Sequence, residues 1–518
     1  MAEPHRQINP WLIAVSVMFA TFMEVLDTTV VNVSLPHIAG SLSATIDEAT
    51  WALTSYLVAN AIILPMTGWL ATRFGRKRLL MLSVVGFTLS SFLCGLAPTL
   101  GTLIAFRVMQ GATGGALQPL SQAVLLEAFP PHDRGKAMAF WALGIVVAPI
   151  LGPVLGGWLT DNYSWRWVFY INIPVGVASL IMTKLYIFDP PYLRQESRKV
   201  DYWGIGMLAV GIGALQIVLD KGQEEDWFSS NFIMVLAILS AATLVALIIH
   251  ELTTDDPIVD LRVFKERSYA VGVFLMTMVG FVLYGSMVLL PVMLQTVLGY
   301  PPLQAGIAMA PRGIGSFLMM PIIGVMTGRF DARKLLAGGL FAGGVTLLWL
   351  SQLNLQAGYW DIFWPQLAQG AGMAMLFVPL TTVAMDAIPR ERMGNATSLF
   401  NLMRNIGGSI GIAMTGTMLV RNQQTTTATL GAHVSVYDPG SQAMFAQMRA
   451  AFMAAGADVT TATNRAFAAL FGMVQRQASM VAFVGIFQLL GVLFIVIIPL
   501  VLLMRRPKRG PVAEAAGH

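Results

Sequence analysis

Glu24 and Asp27 sit inside one long apolar run, 11–34, and Arg107 inside another, 101–127. A charge at the middle of an apolar helix costs about 2.5–3.5 kcal/mol on insertion scales, and such residues tend to be functional. Glu24 and Asp27 are three apart, so a helix carries them on one face. At 1.5 Å per residue, Asp27 and Arg107 lie at similar depth, of order 10 Å from the same surface, which permits a contact. A carboxylate that alternates between an Arg partner and an apolar setting changes its proton affinity. It can bind and release a proton, or attract a cationic solute. Competition between the two for one carboxylate would exchange one for the other across a barrier. A static ion pair that fixes helix register is the alternative.

Other residues are candidates for gating or contact. Gly144, Ala148, Gly152 and Gly156 recur every four residues, and Gly157 follows. They form a smooth strip on which another helix can pack closely. Pro149 and Pro153 remove backbone donors within the strip and permit bending, which favours a gate; ordinary small-residue packing is the alternative. Arg312 and Arg404 lie in later apolar runs without an acid of their own. Each is either structural or substrate-facing, and carbonyls freed near Pro311 would suit Arg312. Gly68, Arg73, Gly75, Arg76, Lys77 and Arg78 form a short basic loop that would latch onto helix ends or acids, unless it only sets orientation.

These residues need membrane-spanning helices to position them. The chain has 518 residues, 56% hydrophobic and only 11% charged, against about 25% charged in ordinary soluble domains. That excludes a soluble enzyme, a nucleic-acid reader and a disordered chain, and the net charge of +5 lies in loops. A span needs roughly 20 apolar residues. Fourteen such stretches are expected, at 11–34, 49–70, 79–97, 101–127, 137–159, 166–187, 203–220, 231–250, 268–294, 304–327, 335–352, 361–384, 395–420 and 479–504. Lys and Arg collect in alternate loops, including Arg6, Arg73–Arg78, Arg134, Arg194, Arg198, Lys199, Arg329 and Arg505–Arg509. Basic loops stay in the cytoplasm, so both termini are expected there. There is no phosphate-binding Gly-Lys-Ser/Thr loop, no catalytic triad and no metal-ligand spacing, and Cys94 stands alone.

The chain also repeats itself. Gly68-Trp-Leu-Ala-Thr-Arg-Phe-Gly-Arg-Lys-Arg-Leu-Leu80 matches Gly324-Val-Met-Thr-Gly-Arg-Phe-Asp-Ala-Arg-Lys-Leu-Leu336 at Gly, Arg, Phe and both leucines. Two six-helix halves, 11–187 and 268–504, with an inserted hairpin at 203–250, would account for this; duplicated halves around a central site are a transporter plan. Residues 421–478 read as a long external loop. Met444, Phe445, Met448 and Phe452, then Phe467, Leu470, Phe471 and Val474, fall at helical spacing. Short amphipathic helices are expected there, either on the membrane surface or as a docking surface.

From Asn9 to about Leu503 the motifs resemble the major facilitator superfamily, in particular its fourteen-helix, EmrB-type branch of drug:proton antiporters. The resemblance rests on Leu26–Pro36, Gly68–Arg78, Leu103–Gly111, Gly144–Gly157, Leu290–Gln295 and Trp364–Gly370. It implies an all-α polytopic membrane protein with the major facilitator fold. It implies multidrug efflux of lipophilic or cationic compounds driven by the proton gradient, with no other cofactor and no enzymatic activity. Asp27 takes the position of the branch's first-helix acid, and Arg107 that of the helix-4 Arg implicated in proton transfer. It further implies a bacterial inner membrane, a periplasmic membrane-fusion adaptor of EmrA type and an outer-membrane channel of TolC type. An exporter dedicated to one metabolite or siderophore is the alternative on the same scaffold, and a non-transporting receptor or scaffold a remote one. One departure is Thr72, where many members carry Asp; a loop salt bridge through that position is not expected here.

Overall fold

The computed structural model describes residues 9–130, 132–189, 200–435 and 437–505, and every regular element among them is helical. The first group begins with α1 (Pro10–Ser41), whose Asn9 cap accepts from the Trp11 amide and whose Pro10 suits the first turn. A Thr45–Glu48 capping box starts α2 (Ile46–Phe74). Gly75 alone separates it from α3 (Arg76–Leu96) and has φ +83°. A side chain there would be strained, and its Cβ would come 2.8 Å from an Asp189 carboxylate oxygen.

The expected span 101–127 is broken into α4 (Leu100–Gly114) and α5 (Leu117–Ala128). At the break, a Cβ on Gly115 would meet the Asn60 carbonyl at 2.6 Å, so the α2 backbone occupies that space. The group closes with α6 (Arg134–Asn162), α7 (Trp167–Tyr170) and α8 (Asn172–Tyr186). A hairpin follows, α9 (Tyr202–Lys221) and α10 (Asn231–Thr253), in which the Ser240 hydroxyl donates to the Gly211 carbonyl at 2.9 Å. The second group comprises α11 (Arg267–Thr296), α12 (Pro302–Arg329), α13 (Ala332–Leu350), α14 (Tyr359–Asp386), α15 (Met393–His433), α16 (Pro439–Ala454) and α17 (Val459–Val496).

Among the described residues, 12 helical segments are long and apolar enough to cross a membrane, two fewer than expected from the sequence. Neither half of the broken α4–α5 pair is long enough alone, and α15 is too polar along its length. Arg6, Arg194, Arg198, Lys199, Arg506, Lys508 and Arg509, which carry part of the orientation argument, lie outside the described residues.

The expectation for 421–478 needs correction, because this stretch is not a loop bearing short surface helices. α15 runs unbroken to His433, about 60 Å at 1.5 Å per residue, twice a bilayer core of about 30 Å. α17 likewise begins at Val459, well before 479. The Gln-Thr-Thr-Thr run after Arg421 is free of Gly and Pro until Gly431, so nothing interrupts the helix. Only α16 is separate; Asp438 caps it by accepting from the Ser441 amide at 2.7 Å, which holds that exposed carboxyl below its usual pKa. Phe445 of α16 packs on Phe467 of α17 with ring centroids 4.4 Å apart.

The two groups meet closely at the end that carries the basic turns. A Cβ on Gly68 of α2 would lie 2.6 Å from the Asn395 amide nitrogen of α15, and one on Gly324 of α12 would lie 3.1 Å from Lys136 Cα of α6. The two repeated motifs thus make the same kind of contact, each glycine against the first turns of a helix in the other group. Thr397 donates to the Pro119 carbonyl at 3.1 Å, and Asn401 donates to Gln122 at 2.6 Å. The α9–α10 hairpin leans on both groups: Gly213 sits against Val58 and Ile62 of α2, and Gln216 donates to Ser409 of α15 at 3.0 Å.

Candidate functional site

The contact that equal depth permits is made. Arg107 Nη1 donates to Asp27 Oδ2 at 2.6 Å, and neither side chain has any exposed surface. Gln110 Nε2 and Asn172 Nδ2 donate to Asp27 Oδ1 at 2.9 and 2.7 Å. The carboxylate therefore accepts three hydrogen bonds from two other helices. Arg107 is fixed in turn: Nε donates to the Ala52 carbonyl at 3.0 Å, Nη1 also donates to Gln110 Oε1 at 2.7 Å, and its carbon lies 4.2 Å from the centre of the Tyr56 ring. Nη2 has no hydrogen-bond partner. Hydrogen bonds from Gln110 and Asn172 to the carboxylate, and from Arg107 to Ala52 and Gln110, offset much of the cost of burying the two charges.

Glu24, on the same face of α1, enters a different setting. Its Oε1 accepts from Asn60 Nδ2 at 2.9 Å, while its buried Oε2 has no partner. Arg404 of the second group lies within electrostatic reach of it. Arg404 Nη2 donates to Gln118 and, at 3.4 Å, to Asn405; its buried Nε donates to nothing. A narrow cleft adjoins this layer, lined by Gln122, Met138, Trp141, Met276, Met320, Phe377 and Arg404 and with room for about one water. Arg312 behaves otherwise than expected. It is not satisfied by carbonyls freed near Pro311; its Nε instead approaches the Met373 thioether at 3.2 Å, because α14 packs closely against this turn of α12. The same packing brings the Arg312 carbonyl to 1.9 Å from where a Cβ on Gly370 would sit.

The small-residue strip of α6 packs on α1, the helix of both acids. A Cβ on Gly144 would meet Met18 at 2.9 Å, one on Gly152 the Thr29 hydroxyl at 2.1 Å, and one on Gly156 the Val30 carbonyl at 2.8 Å. Gly157 has more room, 3.9 Å from Val33. Helix α6 passes Pro149 and Pro153 without interruption, and the Pro153 side chain lies outside the described residues. In the basic turn, Arg76 bridges to Glu127, the Lys77 amide donates to Asp189 at 2.9 Å, and Lys77 Nζ donates to the Lys184 carbonyl at 2.8 Å. Arg73 lies over Trp69, Arg78 is exposed, and Thr72 donates to the Gly68 carbonyl at 2.9 Å. The turn thus ties the ends of α3, α5 and α8 together without an acid at 72.

Gly68→Val would push the α2 and α15 backbones apart. Overpacking of this kind costs about 1–3 kcal/mol. The expected result is faster thiol labelling of a Cys placed at Thr397, read against the buried native Cys94. An unchanged labelling rate would mean that this contact does not hold the two groups closed.

Sequence reasoning missed Gln110, Asn172, Asn60 and Gln118. Gln110 carried a signal, standing one turn from Arg107 on the same face. The others are isolated polar residues whose partners lie far away in the chain.

The profile of the Major Facilitator Superfamily matches residues 17–412. The chain belongs to this superfamily. It is 42% identical over 439 residues to the multidrug export protein EmrB of Haemophilus influenzae, covering 84% of this chain and 86% of that protein. It is 38% identical over 500 residues to the fatty acid resistance protein FarB of Neisseria gonorrhoeae, covering 96% of each. The superfamily fold is also seen in the crystal structure of the human organic anion transporter MFSD10 (TETRAN), with a TM-score of 0.59, 13% identity, and coverage of 94% of this chain and 100% of that one. Major facilitator proteins are multi-pass membrane transporters rather than enzymes, and the all-helical architecture fits that membership.

Proposed function

We propose that this major facilitator protein exports lipophilic compounds of more than one kind in exchange for protons, by alternating access. The observation that carries the reading is the Asp27 carboxylate, wholly buried and held by Arg107, Gln110 and Asn172. A carboxylate whose partners stand on separate helices changes its environment whenever those helices move, and with it its hold on a proton. Glu24 sits on the same helix, one turn nearer the seam between the groups. The strip of α6 against α1 offers a close-packed surface along which these acids can shift. The names of the EmrB relatives support export of several drugs.

We read the chain as two six-helix halves, 11–187 and 268–504, around an inserted hairpin at 203–250. Counting α4–α5 as one span and α15 as another gives fourteen. The matching contacts of Gly68 and Gly324 support the duplication, and the basic turns support cytoplasmic termini in a bacterial inner membrane. Proteoliposomes with an imposed pH gradient and an internal pH-sensitive dye test the reading. Substrate-dependent proton flux is expected; none with any of a panel of lipophilic compounds would reject it.

A second reading, export of one class of metabolite, is favoured by the FarB relative, which aligns over 96% of the chain. A growth-inhibition panel separates the two: resistance to several unrelated compounds supports the first, and resistance to one class alone the second.

The projecting ends of α15 and α17 with α16 serve, in this reading, as the dock for a periplasmic adaptor of EmrA type leading to an outer-membrane channel of TolC type. Val459 and Phe471 are exposed there, 57% and 59%. Glu at both positions should lower resistance in cells while leaving vesicle transport intact. Unchanged cellular resistance would remove the docking role.

A further inference from the structure

The α9–α10 hairpin carries ionisable groups of its own at the end where the basic turns lie. Asp201 caps α9, accepting from the Gly204 amide at 2.9 Å. Its other oxygen meets His250 Nε2 of α10 at 2.7 Å. Both side chains are partly exposed, and Glu251 lies behind them, 1% exposed. Glu251 Oε2 accepts from the Val259 amide at 3.2 Å, while its buried Oε1 has no partner. The two carboxyls converge over the first turn of α9: a Cβ on Gly204 would meet an Asp201 oxygen and, at 3.2 Å, Glu251 Oε1. The ionisable groups that face Glu251 are Asp201 and His250, and the linker packed against it presents the backbone of Ile258 and Val259. Farther along that linker Asp255 and Asp256 are exposed, Asp260 lies 3.7 Å from Arg392, and Arg262 donates to the Thr254 carbonyl at 3.2 Å.

Two consecutive residues tie this cluster to the seal between the groups. The Val259 amide is held by Glu251, and the next amide, of Asp260, donates to Asn395 Oδ1 at 3.2 Å. Asn395 Nδ2 donates back to the Asp260 carbonyl at 2.8 Å. Asn395 is the residue of α15 whose backbone lies against Gly68 of α2. Ile258, Val259 and Val263 are buried, which fastens the linker to the helices on either side of it. A change at Glu251 therefore reaches the closed end of the molecule through two hydrogen-bonded residues.

We propose that Asp201, His250 and Glu251 form a cytoplasmic proton site, separate from Asp27, which when protonated latches the cytoplasmic end of the protein shut. Two carboxylates over one glycine repel each other, and a proton shared between them removes the repulsion. Neutral Glu251 keeps Oε2 as the acceptor for Val259 and gains an O–H on the oxygen that now lacks a partner, directed to Asp201. Protonated His250 strengthens its bridge to Asp201, and histidine changes charge near neutral pH. Both protonations favour the closed arrangement, so the latch is strongest in acid and is lost as pH rises. The placement in the cytoplasm follows from the basic turns at the same end. This proton is a regulator and not a cargo, so the site goes beyond the transport reading. Under proton exchange it would shut the carrier when the cytoplasm is already acid.

The test is a spin–spin distance measured on purified full-length protein in detergent. Labels go on Cys placed at His132 and Glu391, exposed positions at this end of the first and second groups, while native Cys94 stays buried. The parent protein carries Asp27→Asn and Glu24→Gln, so that the α1 acids do not titrate. The ratio of short to long distances should fall at least about tenfold from about pH 6 to about pH 8, as a one-unit difference in proton affinity between the two states requires. Glu251→Gln supplies an amide that donates to Asp201 as the neutral acid does, and should hold the short distance at both pH values. A merely structural Glu251 would instead give a looser end in that variant. Asn395→Ala cuts the connection and should abolish the pH response. Distances that do not change with pH in the parent would overturn the proposal. So would a full pH response in Glu251→Gln or in Asn395→Ala. If Glu251→Gln does not purify as a monodisperse species, the parent profile and Asn395→Ala decide. The measurement uses neither substrate nor gradient, so the two readings fail separately: absent proton flux with an intact pH response rejects proton-driven export alone, and flux with a flat profile rejects the latch alone.

Discussion

Asp27→Asn should reduce proton-coupled efflux in proteoliposomes to the level of empty vesicles while the protein remains folded. The substitution is nearly isosteric, so the helices around it need not move. Its chemistry changes completely. Aspartate presents acceptors to Arg107, Gln110 and Asn172. Asparagine presents one acceptor and an amide that must face one of those donors. It cannot bind and release a proton, so no cycle can carry one through this position. The fold should survive because Arg107 keeps the Ala52 carbonyl, Gln110 Oε1 and the face of Tyr56. Size-exclusion behaviour and thermal unfolding in detergent check the fold, and dye-reported proton flux checks the coupling. Full coupling in the variant would discard Asp27 as the carrier.

Arg107→Ala should cost more. Deleting one member of a buried pair typically costs about 3–5 kcal/mol, because the other is left without its partner. Here it also removes the contacts to Ala52, Gln110 and the Tyr56 ring. The expected result is a clear fall in the unfolding midpoint together with loss of coupled transport. Arg107→Lys restores a positive charge opposite Asp27, but a single ammonium cannot reproduce the fork that reaches Ala52, Asp27 and Gln110 together. It should recover part of the stability and a fraction of the coupled flux. Equal loss in both variants would show that the shape of the guanidinium, more than its charge, is what the site uses. The double variant Asp27→Asn with Arg107→Ala should regain stability relative to Arg107→Ala alone, and should not regain coupling. That split separates a structural contribution of the pair from its role in transport.

Local features were legible in the sequence. Apolar length located 12 of the spans, because crossing a bilayer is a requirement each helix meets by itself. Spacing placed Glu24 and Asp27 on one face, and a four-residue period marked the strip on α6. The repeated Gly-Arg-Phe turns were visible as a pattern. Even some limits were local: α15 fails as an apolar span because Arg404, Asn401 and Ser409 lie within it. Helical spacing within 421–478 was legible, but the unbroken continuation of α15 and α17 into it was not, because polar residues end an apolar run while backbone hydrogen bonding has no need of apolar side chains outside the membrane.

What tertiary structure alone decided is how differently the two acids are used. Asp27 is enclosed by Arg107, Gln110 and Asn172, whereas Glu24, one turn away on the same face, reaches the seam where Asn60 holds one oxygen and Arg404 approaches from the other group. These partners come from distant parts of the chain, and no local spacing encodes which of them arrives. The close approaches of glycine to backbone set the helix positions, and those positions choose the partners. Sequence periodicity assigns a residue to a face; the packing of other helices against that face assigns its charge a neighbour.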